Sequence, residues 1–293
     1  MRKRLSTLLD GRAVAAKIRG EVAAEVAAFA ARHGQAPGLT AVLVGEDPAS
    51  KVYIRRIGQT CAEVGVRFQR LDLPAATTAE ELRETLGRLN GDPSVSGVIV
   101  QMPLPKHIPA GTVGDTLSPE KDVDGVCPTN AGRLLLALPA FVPATPLGGF
   151  ELLKRFEIPL RGAEAVVVGR SPIVGKPMAS LLLNDHATVT ICHSRTRDLG
   201  EVTRRADILV AAIGKAKTIT AAMVKPGAAV VDFGINPTEG GIVGDVDFAA
   251  VSEIAGFITP VPGGTGPMTN VMLMRNTLTA ARRQVGEEST WEA

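Results

Sequence analysis

Aromatic rings are scarce in this chain. One Tyr, one Trp and eight Phe amount to 3% of 293 residues, so Ala, Val, Leu and Ile must fill most of a core that the 45% hydrophobic content predicts. Cysteine is scarcer still. Cys61, Cys127 and Cys192 lie far apart and form no CxxC pair, which excludes a disulfide framework and points to free thiols. His33, His107, His186 and His193 show no metal-ligand spacing, so no metal site is expected. An excess of either charge is also missing. With 32 basic and 30 acidic residues the net charge is +2, and neither nucleic acid nor a membrane surface is an expected partner. No apolar run is long enough to span a bilayer. The start MRKR is basic, but Ser6, Asp10 and Arg12 leave no room for a signal-peptide core. A cytosolic protein is expected, long enough for two domains.

What is present is alternation. LTAVLVG (39–45), VSGVIVQM (95–102), AEAVVVG (163–169), ATVTICH (187–193), ADILVAAIG (206–214) and AAVVDFG (228–234) are short, mostly β-branched runs. They read as strands buried on both faces of a parallel sheet. Ala-, Leu- and Glu-rich stretches with helical spacing lie between them, at 11–33, 48–64, 78–90, 146–156 and 175–184. Strand and helix in repeated succession predict an α/β protein of doubly wound type. The proline-rich LALPAFVPATPLG suggests a boundary between an α/β domain at 1–140 and a second, Rossmann-like domain at 141–267, with the cleft between them. The turn PVPGGTGPMT (260–269) leads into a last helix, 268–285, expected to pack back on the first domain, and GEESTWEA is a polar tail.

VVVGRSPIVGKPMASLLL is a strand, a loop opened by Gly169 and closed by Gly175, and a helix. Such a turn presents backbone N–H groups to a pyrophosphate, although it is not GxGxxG, and a tight turn without ligand has the same local pattern. At the end of the following strand an NAD enzyme would carry a carboxylate for the ribose hydroxyl. Here the chain reads CHSRT, with Ser194 and Arg195. Those groups suit a 2′-phosphate, which favours NADP over NAD, unless Arg195 is simply a solvated loop charge.

Two stretches of the first domain carry polar groups where a sheet meets a ligand. GVIVQMPLP ends a buried strand with Gln101. In PEKDVDG, Asp122 and Asp124 are two apart, so an extended segment aims them oppositely: one toward a ligand, the other into a structural bond. An Asx turn before Gly125 explains the same residues.

Taken together, DPASxxY, GVIVQMPLP, PEKDVDG, PATPLG, VVVGRSxIVGKPM, CHSRT, KPGAAVVDFGIN, VGDVDF and TPVPGGTGPMT resemble the bifunctional methylenetetrahydrofolate dehydrogenase/methenyltetrahydrofolate cyclohydrolase family, over nearly the whole chain. The resemblance implies NADP-linked oxidation of 5,10-methylenetetrahydrofolate, hydrolysis of the methenyl product to 10-formyltetrahydrofolate in the same cleft, and a homodimer. It implies that Tyr53 stacks along the folate, that Gln101 orients the one-carbon bridge, and that Asp124 accepts hydrogen bonds from the pterin. Pro262, Gly263 and Gly264 would border the folate. Gly169, Arg170, Ser171, Ser194, Arg195 and Ile235 would line the NADP site.

The chain departs from the pattern at one chemical position. The family places a lysine four residues after the tyrosine, where this chain has Ile57. That lysine acts with the glutamine on water. Isoleucine has no donor, acceptor or titratable proton, and the nearby guanidinium of Arg56 stays protonated and makes a poor base. Hydride transfer needs no proton from the enzyme, only positioning. The expectation is therefore a dehydrogenase with weak or absent cyclohydrolase. Residues four apart share a helix face, so Tyr53 and Ile57 are both expected to face the cleft. Cys127 for His, Ala144 for Cys and Pro237 for Arg are lesser departures. Pro237, next to the predicted NADP site, weakens the cofactor assignment. A fully bifunctional enzyme, a dehydrogenase of another substrate and a catalytically silent folate-binding paralogue are the competing readings.

Overall fold

A computed structural model describes residues 6–287. The expectations for MRKR and for the end of the polar tail lie outside them. The strands, in chain order, are β1 (Thr7–Leu8), β2 (Gly38–Val44), β3 (Arg67–Leu73), β4 (Gly97–Val100), β5 (Glu164–Val168), β6 (Thr188–Cys192), β7 (Ile208–Ala211), β8 (Ala229–Asp232), β9 (Asn236–Thr238), β10 (Gly241–Val243) and β11 (Phe257–Ile258). The helices are α1 (Gly11–His33), α2 (Pro48–Val64), α3 (Ala79–Gly91), α4 (Thr112–Thr116), α5 (Pro128–Leu135), α6 (Ala144–Arg155), α7 (Gly175–Asn184), α8 (Leu199–Thr203), α9 (Phe248–Val251) and α10 (Thr265–Gln284). The chain divides into two compact units. Of the described residues, one contains Lys17–Ala144 and 270–287; the other contains 6–16 together with Thr145–Thr269.

The first unit is built on a parallel sheet of order β3-β2-β4. Every residue of the central strand β2 is buried. The edge strand β3 (RFQRLDL) carries only exposed and half-buried residues and keeps its charges in water. The sheet packs on α3 through Val42, Val44, Leu82, Leu86 and Leu89. Beyond β4, Val98 N–H donates to Lys121 O at 2.8 Å, so the segment around Asp122 lies along the sheet edge. Gly97 allows that approach, because a Cβ there would lie 2.5 Å from Val123.

The second unit carries a six-stranded, all-parallel sheet of order β1-β11-β8-β7-β5-β6. Its inner strands are the apolar runs read from the sequence. Val166, Val168, Leu209, Ala211, Val230 and Ile258 join one core cluster. Right-handed crossovers in such sheets bring the loops that follow the strands to one edge. Among the described residues no helix is long and apolar enough to cross a membrane.

Local signals fix the helix ends. Thr78 Oγ1 accepts from Glu81 N at 3.2 Å while Glu81 Oε2 accepts from Thr78 N at 2.7 Å, a capping box that starts α3. Thr78→Ala is expected to cost about 1 kcal/mol in urea-induced unfolding. An unchanged midpoint and slope would show that the box contributes nothing.

Candidate active site

In the first unit the candidate residues come from three segments. Helix α2 starts cleanly: Asp47 accepts from Ser50 N at 2.7 Å, Pro48 opens the first turn, and Gly65 closes the helix in the left-handed region at φ 79°. Ile54, Ile57, Cys61 and Val64 form its inward stripe. Tyr53 stands on the border of that stripe and is 36% exposed, whereas Ile57 is 0% exposed. Four residues of an α-helix turn through about 400°, so the two side chains are offset by about 40°. Here that offset separates a half-open phenol from a sealed aliphatic group. The shared open face expected from the spacing is not what the structure has. Arg55 and Arg56 are exposed on the outer side.

Gln101 follows β4. Its N–H donates to Val42 O at 2.9 Å, which continues the sheet, and its Nε2 donates to Met102 O at 2.7 Å. The half-buried amide leaves its oxygen available. The two aspartates of PEKDVDG differ sharply. Asp122 is fully buried and accepts from Val126 N (3.0 Å), Cys127 N (2.8 Å) and Asn130 Nδ2 (2.8 Å). Asp124 has a single long contact, from Ala144 N at 3.5 Å. Between them and α5, Gly125 sits at φ 61°, where a Cβ would lie 2.5 Å from Phe141 O. Asn276 of α10 donates to Val123 O (2.8 Å) and Val142 O (3.0 Å) and so ties both strands of this turn. Burial, reinforced by the charge of Asp122, pushes the Asp124 carboxyl up to about 7. Burial and then the charge of Asp124 also raise the Tyr53 phenol. The pair is thus close enough to interact electrically.

The three thiols are buried. Burial pushes Cys61 up to about 12, and Cys127 Sγ donates to Leu117 O at 3.3 Å. Neither is a thiolate at neutral pH. Cys127 precedes α5 as a packed residue in the place of the expected histidine. Among the described residues no cluster of His, Cys, Asp and Glu could hold a metal.

In the second unit the candidates lie on loops leaving the carboxyl ends of β5, β6 and β8. Gly169 has φ 130°, and a Cβ there would overlap the Ala212 carbonyl. A Cβ on Gly175 would overlap Gly169 O. Ser171 Oγ accepts from Val174 N (3.1 Å) and Gly175 N (3.3 Å), shaping the entry to α7. Arg170 is exposed beside it. After β6, His193 N donates to Thr196 Oγ1 (2.9 Å) and Arg195 N donates to His193 Nδ1 (3.1 Å), a turn that presents Ser194 and Arg195 to solvent. Ile235 is 64% exposed on the loop after β8. Within the same unit Gly263, at φ 114°, and the buried Gly264 form the turn that enters α10, next to the exposed Pro262. The bracing residues Asn130, Asn276, Asp232 and Asp245 were not singled out from the sequence. Most of their partners lie eight or more residues along the chain, which leaves no local pattern.

Comparison with known proteins covers both units. Residues 9–124 match the model of the tetrahydrofolate dehydrogenase/cyclohydrolase catalytic domain, and residues 143–285 match that of the NAD(P)-binding domain of the same family. A bifunctional FolD protein of Chloroflexus aurantiacus is 51% identical over 280 residues, 95% of this chain and 98% of the relative. The crystal structure of the FolD dehydrogenase/cyclohydrolase from Campylobacter jejuni superposes with a TM-score of 0.93 at 46% identity, covering 95% of this chain and 99% of that one. The Trypanosoma brucei enzyme, complexed with NADP and an inhibitor, gives 0.91 at 38% identity, covering 97% and 99%.

Asp124 supplies a test that needs no ligand. Its folded-state value, about 7, lies above the ordinary 3.8. The fold therefore favours the neutral acid, and this contribution is lost as pH rises through about 7. Asp124→Asn, which stays neutral, is expected to gain stability over the wild type above that pH and to gain none below pH 3.8. Parallel unfolding curves across the range, with a constant difference, would contradict it.

Proposed function

Because the chain belongs to the tetrahydrofolate dehydrogenase/cyclohydrolase family, we propose that it oxidises 5,10-methylenetetrahydrofolate to the 5,10-methenyl cation with NADP⁺ and hydrolyses that cation slowly or not at all. The observation that carries the second half is Ile57. An aliphatic side chain, 0% exposed, stands where the resemblance implies a lysine.

The residues of the second unit fit a dinucleotide. Gly169 and Gly175 let the loop pack backbone to backbone, since a Cβ on either would overlap a neighbouring carbonyl. This close turn ends at the amino end of the ten-residue α7, where backbone N–H groups suit a pyrophosphate. Gly169, Arg170 and Ser171 would hold the pyrophosphate side, Ser194 and Arg195 the 2′-phosphate, and Ile235 would cover an apolar face. When bound, the cofactor supplies a hydride acceptor at C4 of its nicotinamide.

On the folate side, Tyr53 offers the chain's one phenol as a stacking face. Asp124, with nearly all its lone pairs free, accepts from the pterin amino and ring N–H groups. Gln101 orients the one-carbon bridge, with Pro262, Gly263 and Gly264 at its border. The lone pair of the adjacent folate nitrogen drives the departing hydride and spreads the resulting charge, so no side chain exchanges a proton. Hydrolysis is different. Water must add to the methenyl carbon and give up a proton, and Ile57 cannot take it. Loss of such a group lowers a rate by about 10²–10⁴-fold.

The names of the relatives, which carry both activities, support a second reading in which hydrolysis is retained. Parallel assays decide. NADPH formation from methylenetetrahydrofolate is expected to be rapid, with methenyltetrahydrofolate accumulating. Formyl product without a methenyl lag would establish the bifunctional reading, and no NADPH at all would mean a silent paralogue. Ile57→Lys places an amine in a dry site, where desolvation lowers its pKa toward a useful base. It is expected to raise hydrolysis by roughly tenfold or more at some cost in stability. The KM for folate is expected to fall as pH rises toward 7 and Asp124 ionises, and Asp124→Asn should abolish that dependence. The homodimer implied by the resemblance is part of the proposal, and light scattering checks it.

A further inference from the structure

Two buried carboxylates have no part in the chemistry above. Asp232 ends β8 and Asp245 follows β10, and they are 2% and 0% exposed. Burying a carboxylate is costly unless its lone pairs are satisfied. Here N–H donors surround both. Asp245 Oδ2 accepts from Ile213 N (2.6 Å) and Gly214 N (2.9 Å), and Oδ1 from Lys215 N and Asn236 Nδ2 (both 2.9 Å). Asp232 Oδ1 accepts from Gly234 N (2.7 Å) and from Asp245 N (3.0 Å), and its Oδ2 accepts from Val246 N (2.9 Å). Room is kept for the pair by two glycines. A Cβ on Gly234 would overlap the Asp245 backbone, and one on Gly244 would overlap the Asp232 carboxylate.

The position of the bonded segments gives the arrangement its meaning. Residues 213–215 leave β7 and residues 234–236 leave β8, the neighbouring parallel strand. Ala212, just before the first segment, is the residue against which Gly169 of the β5 loop packs. Open parallel sheets bind ligands at these carboxyl ends. We infer that Asp245 is a positioning residue for the dinucleotide: through four N–H bonds it joins the loops after β7 and β8 into one fixed rim, from which Ile235 and the 213–215 backbone meet the cofactor. Asp232 holds Asp245 from behind, through its backbone N–H. The inference rests on the NADP reading of this unit.

A residue that only stabilised the fold would alter melting but leave the affinity of the folded protein unchanged. Isothermal titration of NADP⁺ without folate separates the two roles. Asp245→Asn keeps the shape and turns an NH₂ group against two of the four donors. It is expected to raise the Kd about tenfold or more, the worth of disturbing bonds to a charged acceptor, and to raise KM for NADP⁺ while leaving KM for folate within about twofold. Hydrogen exchange at 213–215 should quicken in the unliganded variant. Asn236→Ala removes one side-chain donor and is expected to act in the same direction by about threefold, which keeps the test alive if the first variant does not fold. Folded variants that bind NADP⁺ within the error of the wild type would overturn the inference. A wild type that binds no NADP⁺ would instead overturn the cofactor reading, and the exchange measurement tells the two failures apart.

Discussion

Both units depend on the same interaction, a buried aspartate that accepts backbone N–H groups from a loop and one amide N–H from an asparagine. Asp122 takes Val126 N, Cys127 N and the amide of Asn130. Asp245 takes Ile213 N, Gly214 N, Lys215 N and the amide of Asn236. Parallel sheets make some such device necessary. Their ligand-facing groups lie on loops beyond the strand ends, where no ladder bonds hold the backbone. A charged acceptor with several N–H donors is stronger than a neutral one and fixes several peptide units at once. The neighbouring aspartate, Asp124, is thereby released from structural duty and left with one contact of 3.5 Å.

The chemistry divides along the same lines. Hydride transfer asks the protein for two ligands held in register, which rigid loops supply. Hydrolysis asks for a group that moves a proton, which a loop brace cannot supply. On the proposed reading, a chain with these braces and isoleucine at position 57 meets the needs of the first reaction and not those of the second. The burial of Ile57 adds to this. A fully enclosed β-branched side chain contributes to the α2 stripe with Ile54 and Cys61, so the position has become part of the core.

Much of the architecture was legible. All six apolar runs are strands, but burial on both faces fails for β6, which lies at the sheet edge and leaves Thr188 and Ile191 exposed. Helices α1 and α2 begin and end where their spacing indicates. The edge strand β3 was missed because Arg67, Arg70 and Asp72 interrupt any apolar pattern. The two-residue strands β1 and β11 are too short to carry a period. At the site, the division of labour between Asp122 and Asp124 could be stated in general terms from their spacing, but which aspartate took which task depends on Asn130 and the turn toward Phe141. The enclosure of Ile57 depends on a rotation of some tens of degrees about the helix axis, finer than a seven-residue pattern resolves.

A scarcity noted at the outset has a practical corollary. Tyr53 is the only tyrosine in the chain, and it stands half open on α2 within electrical reach of Asp124. Ring resonances of a tyrosine-labelled sample would therefore come from one location, with no other phenol to subtract. The protein carries its own single-point reporter of this surface, and occupancy there can be followed without attaching a probe.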